Sequence, residues 1–218
     1  MTERLVFREV NVLDGRGAPP FVADVSVVGE QIERVGQAPP GSTELDGRGL
    51  CLSPGFVDVH SHDDAAVLDH PTLEFKLAQG CTSVVVGNCG FGLSPLTGQS
   101  EPPGNASLFG PSRRRFESVA QYLAAIAAAR PALNVATLVG HHNLLVSVLG
   151  DGERAPTLAE RVQLRDLCRR ALDDGALGLS TGLIYRPGRS AQTEELAELA
   201  ALCGERGLLY TTHLRSES

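Results

Sequence analysis

The chain has 218 residues, is 42% hydrophobic and 21% charged, and carries a net charge of -7 with a pI near 5.4. That length buries a large core in one domain or one and a half, and that apolar fraction excludes bulk disorder. The acidic balance excludes a nucleic-acid partner, which needs basic surface, and no run of ~18 uninterrupted apolar residues offers a membrane span.

The N-terminus, MTERLVFREVNVLDG, mixes charges with apolar residues and has no signal-peptide pattern. Five cysteines (Cys51, Cys81, Cys89, Cys168 and Cys203) are an odd number without paired spacing, which suits a reducing cytoplasm. Residues 1–53 read as a small β-sheet domain. Short β-branched runs at Arg4–Gly15, Val22–Gly36 and Gly49–Gly55 are divided by turn signals, with a hairpin turn at Gly29–Gln31.

From residue 54 to 218 strands alternate with helices. Strand GFVDVH precedes a helix within Pro71–Gly80, strand Thr82–Asn88 and a Gly/Pro/Ser-rich loop over Gly90–Ser112. The basic run Arg113–Arg115 sits at the predicted start of a helix and reads as a solvated face. A helix over Ser118–Arg130, strand Asn134–His141 and a helix from Thr157 to Gly175 follow, both helices opening with capping boxes. Leu158, Val162, Leu167, Cys168, Ala171 and Leu172 give the latter helix one apolar face. Strand Ala176–Gly182, helix Thr193–Gly207 and strand Leu208–Leu214 complete the chain.

This alternation predicts an α/β fold with a parallel sheet. Five strands suit a doubly wound sheet as well as part of a TIM barrel. The polar residues decide between them. His60 and His62 end the first strand, Cys89 follows the second, His141 ends the third, Ser180 the fourth and His213 the fifth. Ligand-capable groups at successive strand ends are how a TIM barrel builds its site, whereas a doubly wound sheet has one crevice. The predicted fold is therefore a partial TIM barrel, its first five strands, preceded by a small β-sheet domain.

Two residues apart on a strand, His60 and His62 face the same way, with Cα atoms roughly 6–7 Å apart. Three imidazoles and a thiolate are a borderline-soft set that favours zinc. The candidate ligands are His60, His62, Cys89 and His213. Asp63 and Asp64 follow the histidines and read as residues that shape their loop; Asp64 and His141 are candidates for orienting the ligands from behind.

SPGFVDVHSHDD resembles the H-x-H signature of the amidohydrolase superfamily. More narrowly, TSVVVGNCGFG (Thr82–Gly92), GALGLSTGLIYRPG (Gly175–Gly188) and TTHLRSE (Thr211–Glu217) resemble the zinc-dependent N-acyl-D-amino-acid deacylases. The resemblance implies hydrolysis of N-acyl-D-amino acids, small molecules, to a carboxylate and a free D-amino acid. It implies that Cys89, in a place many relatives give to a carbamylated lysine, and His213 hold a tight zinc, with His60 and His62 marking a second, weaker position. Lys76, the only lysine, precedes the fourth strand and supplies no carbamate there. The resemblance places Ile184 and Tyr185 in the substrate pocket.

Two features depart from the pattern. GHHNLL (Gly140–Leu145) carries His142 where relatives usually show glycine, and Leu145 where they show arginine. The remaining metal histidine and the catalytic aspartate are expected beyond Ser218, so no general acid or base is assigned here and activity is expected to need the missing part. Two alternatives stand beside the deacylase. One is a cyclic amidase of the same superfamily, related to hydantoinases and dihydroorotases. The other is a non-catalytic metal-binding half-barrel that self-associates or pairs with another chain.

Overall fold

The computed structural model describes residues 3–110, 114–150 and 153–216. The chain divides into two compact units, Met1–Gly55 and Phe56–Ser218.

The first unit is one five-stranded sheet. It contains β1 (Arg4–Val12), β2 (Phe21–Val28), β3 (Gln31–Gly36), β4 (Thr43–Asp46) and β5 (Cys51–Leu52). The order is β3-β2-β1-β4, with β5 also pairing β1. β1–β2 and β2–β3 are antiparallel, while β4 and β5 run parallel to β1. The predicted hairpin turn joins β2 to β3, with Gly29 at φ +60°, a conformation glycine adopts without a Cβ penalty. Val6, Val10, Val12 and Val25 are among its buried residues. β4 was not legible in the sequence: TELD is exposed throughout and owes its strand to pairing with Leu5–Arg8.

The second unit alternates strands and helices. In chain order it contains β6 (Phe56–Asp58), α1 (Ala66–Asp69), α2 (Glu74–Leu77), β7 (Cys81–Val86), α3 (Asn105–Phe109), α4 (Val119–Ala129), β8 (Asn134–Thr137) and β9 (Val139–Gly140). Then come α5 (His141–Leu149), α6 (Leu158–Asp173), β10 (Gly178–Gly182), α7 (Thr193–Gly204) and β11 (Leu209–His213). Two three-stranded parallel sheets result, β6-β7-β8 and β9-β10-β11. Their strands follow chain order, with no reversal among the described residues.

Several predicted bounds change. The third strand is broken at Leu138, whose N–H donates to the Val86 carbonyl (2.9 Å); the preceding Thr137 carbonyl accepts from Leu177 N–H (2.8 Å). One stretch of backbone therefore serves both sheets. His141 does not end a strand but opens α5, a helix the sequence reading missed, and Ser180 lies inside β10 rather than at its end. The helix predicted within Pro71–Gly80 shrinks to the single turn α2, a further single turn, α1, precedes that range, and the loop after β7 contains α3.

α6 has the full capping box, Glu160 N–H to Thr157 Oγ1 at 3.3 Å and Thr157 N–H to Glu160 Oε2 at 2.8 Å. At α4, Ser118 caps Gln121 N–H, but the Gln121 side chain accepts from Glu117 N–H instead of closing the box. The buried face of α6 is Leu164, Leu167, Cys168, Ala171 and Leu172; Leu158 and Val162 are exposed. That face packs with Val139, Leu179, Leu199 and Leu202 into one apolar cluster, and a second forms around Val84, Val86, Phe91, Tyr122 and Ile126. Arg113 and Glu217 lie outside the described residues. Arg114 pairs with Asp69 at 2.7 Å, ahead of α4 rather than at its start.

Candidate metal centre

Cys89 stands on a strained loop immediately after β7. Gly87, Cys89 and Gly90 all take positive φ, +79°, +55° and +82°. For cysteine that conformation costs about 1–2 kcal/mol, so the surroundings must impose it. The buried Ser180 side chain does so from β10, accepting from Gly90 N–H (3.0 Å) and donating to the Gly87 carbonyl. Gly87 also has no room for a side chain, since a Cβ there would lie 2.3 Å from the Leu138 carbonyl oxygen.

The histidine pair lies beyond β6, which ends at Asp58, not on the strand as predicted. A brace replaces the strand. Lys76 of α2 pairs with both Asp58 and Asp63 (2.9 Å to the latter), the acids on either side of the histidines. Asp58 Oδ1 also accepts from His60 N–H (3.2 Å), and Asp63 N–H donates to Ser61 Oγ (3.0 Å). The Lys76 hydrogen bond, opposed by partial burial, holds the Asp58 carboxyl below its usual range.

The predicted residues converge. His60 Nε2 lies 3.1 Å from Cys89 Sγ, the His60 and His62 rings are 5.8 Å apart, and ligand atoms of all three fall within 4.8 Å of one another. His213, the last residue of β11, brings Nδ1 to 3.8 Å from the same sulfur and 3.2 Å from Tyr185 Oη. In a tetrahedral zinc site with metal bonds of about 2.0–2.3 Å, nitrogen and sulfur ligands are roughly 3.5 Å apart. The observed 3.1 and 3.8 Å bracket that separation, so the donor set fits a metal ion. Burial, then the neighbouring His60, lowers the His62 pKa and favours the neutral imidazole a metal requires. Burial pushes the Cys89 thiol up.

Asp64 is fully buried, and neither carboxylate oxygen has a hydrogen-bond partner among the described residues. Burial pushes its carboxyl up to about 7. His141 is buried too, but its Nε2 meets Glu195 Oε1 of α7 at 2.7 Å rather than a candidate ligand. Tyr185 and Ile184 are partly exposed beyond β10. Arg186 is engaged by Glu153 (3.1 Å) and Arg215 by backbone carbonyls of Arg189 and Ala191. Sequence reasoning missed the roles of Lys76 and Glu195. A lone lysine among many arginines was the available signal for the first; Glu195 has none, because it sits among other acids at an ordinary helix start.

Residues 43–216 match the model described as Amidohydrolase family. The chain is 42% identical over 208 residues to an N-acyl-D-glutamate deacylase of Alcaligenes xylosoxydans xylosoxydans, covering 94% of this chain and 42% of that protein. It is also 42% identical to an N-acyl-D-aspartate deacylase of the same organism, over 95% of this chain and 42% of that protein. The crystal structure of N-acyl-D-glutamate deacylase from Bordetella bronchiseptica, complexed with zinc and a phosphonate inhibitor, superposes with a TM-score of 0.94 at 40% identity, covering 100% of this chain and 46% of that one. The chain thus spans less than half the length of these relatives. Matched over most of its length, the chain belongs to the amidohydrolase family.

Proposed function

We propose that this chain supplies the metal-holding part of a zinc-dependent hydrolase that cleaves the amide bond of N-acyl-D-amino acids, releasing a carboxylate and a D-amino acid. The observation that carries this reading is the convergence of His60 and His213 on the Cys89 sulfur atom, at 3.1 and 3.8 Å. Deacylases of acidic D-amino acids at 42% identity favour it over a cyclic amidase. Residues 1–53 form the small sheet domain, and 54–218 the first part of a barrel. Chain-order parallel strands with candidate ligands beyond their carboxyl ends support the barrel.

Cys89 and His213 hold the tight zinc, with His60 and His62 at a weaker second position. Bound zinc supplies hydroxide from water near neutral pH and polarises the acyl carbonyl. Tyr185, hydrogen-bonded to His213, and Ile184 form the pocket wall. Asp64 backs the histidine loop, and His141 anchors the start of α5. No helix among the described residues is long and apolar enough to cross a membrane, and the cysteines are free, which supports a reducing compartment. Phe56, Val57 and Val59 near β6 and Leu209 and Leu214 near β11 are exposed apolar residues, which supports pairing with a further polypeptide.

The test is a chimera joining this chain to the remainder of the Alcaligenes N-acyl-D-glutamate deacylase. It is assayed for zinc content and for hydrolysis of N-acetyl-D-glutamate, N-acetyl-D-aspartate, apolar N-acetyl-D-amino acids and hydantoin. Zinc-dependent release of a free D-amino acid is expected. A folded, zinc-loaded chimera that opens hydantoin alone overturns the reading.

A further inference from the structure

His142, the second histidine of GHHNLL, is completely buried. Its backbone N–H donates to the Gly90 carbonyl (2.9 Å), and its ring nitrogen Nε2 lies 3.1 Å from the Gly182 carbonyl oxygen. A carbonyl only accepts, so Nε2 carries the proton. Burial, with His141 nearby, lowers the pKa to about 3 and keeps the ring neutral.

The imidazole is wedged between two glycines. A Cβ on Gly90 would lie 3.0 Å from the ring, and one on Gly188 would lie 2.3 Å from Nε2. The two carbonyls that His142 meets, Gly90 and Gly182, both lead to the candidate centre. Gly90 follows Cys89, while Gly182 pairs in register with His213 and accepts from Tyr185 N–H (3.0 Å). A second route is aromatic. His142 packs edge-on against Phe91 (4.5 Å), Phe91 against Tyr185 (5.5 Å), and Tyr185 against His213 (4.9 Å).

We infer that His142 is a positioning residue, joining the Cys89 loop to the Gly182–Tyr185 segment and so setting the spacing of Cys89, His213 and Tyr185. The inference rests on the metal-centre reading above, but not on the identity of the substrate. Groups hydrogen-bonded directly to a metal ligand change metal affinity by about 10–100-fold when removed, and His142, which acts through the residues next to Cys89 and His213, is expected at the lower end of that range.

The test is Co2+ titration of the metal-free chain, reading affinity and the thiolate-to-cobalt charge-transfer absorption, with thermal unfolding as a control. His142→Leu keeps the bulk and loses the donor; His142→Gln keeps an N–H donor of similar reach. The Leu variant is expected to bind Co2+ about 10-fold or more weakly, with less absorption per bound ion, and the Gln variant to stay within about threefold of the parent. Equal affinity and spectra for the parent and a folded Leu variant overturn the inference, as does a parent that binds no Co2+. Should the Leu variant not fold, 15N NMR of the parent decides: the Nε2–H tautomer is expected, and Nδ1–H overturns the bond to Gly182. A chain that responds as expected but hydrolyses no N-acyl-D-amino acid after chimera formation defeats the deacylase reading alone.

Discussion

Replacing Asp64 by Asn turns an unpaired buried acid into a measurable pH response. The carboxyl is fully enclosed, and burial lifts its pKa from 3.8 to about 7, against the opposing N–H dipoles of Gly87 and of Asp64 itself. The folded chain therefore keeps this proton up to about pH 7, while the unfolded chain releases it near 4. The stability contributed by the neutral acid is complete below pH 4 and is lost as the pH rises through 7. At about 1.4 kcal/mol per tenfold change, the loss is on the order of 4 kcal/mol. Asn nearly preserves the shape and cannot ionise. Asp64→Asn is thus expected to match the parent near pH 4 and to exceed it at pH 8. With ~2–4 °C per kcal/mol for a chain of this size, the gap at pH 8 is about 8–16 °C in Tm. The assay is thermal unfolding of both metal-free proteins from pH 4 to 8. Parallel profiles across that range would refute the assignment of a raised carboxyl at Asp64.

Other substitutions probe the remaining supports. Cys89→Ser should remove the sulfur shared by His60 and His213 and lower bound zinc to well below one per chain by mass spectrometry; undiminished zinc would contradict its role. Lys76→Met leaves Asp58 and Asp63 without their cation and is expected to weaken metal binding by about 10-fold, measured by competition with a chelator. Unchanged affinity would show that the histidine loop needs no brace. Glu195→Ala leaves the buried His141 ring nitrogen without its partner and should cost about 1–3 kcal/mol in denaturant unfolding; no measurable loss would refute the buried hydrogen bond. Because burial raises the Cys89 thiol and a metal takes the thiolate, metal uptake should release a proton, with affinity rising about tenfold per pH unit between pH 7 and 8.5. A flat affinity over that range would exclude the thiolate.

The parts of the fold written in local chemistry were legible. Thr157 and Glu160, three apart, cap α6, and Gly29 turns the first-unit hairpin. What escaped was set by distant partners. HHNLLVSVL continues an apolar strand without a break or a capping side chain, so nothing local marks the change to α5 at His141; the Gly90 carbonyl taking His142 N–H marks it instead. The β4 segment is polar and pairs only because β1 offers it a parallel neighbour. At the site, residue types and order along the chain pointed to His60, His62, Cys89 and His213. The devices that hold them are contacts across 13 to 93 positions of sequence, such as Lys76 with Asp63 and Ser180 with Gly87, and leave no periodic trace.

X-ray absorption at the zinc edge of the reconstituted chain reads the metal's neighbours by element and distance. Expected are one sulfur at about 2.3 Å, remaining nitrogen or oxygen neighbours at about 2.0–2.1 Å, and loss of the sulfur scatterer in Cys89→Ser. A shell of nitrogen and oxygen alone in the parent chain would contradict zinc held by Cys89.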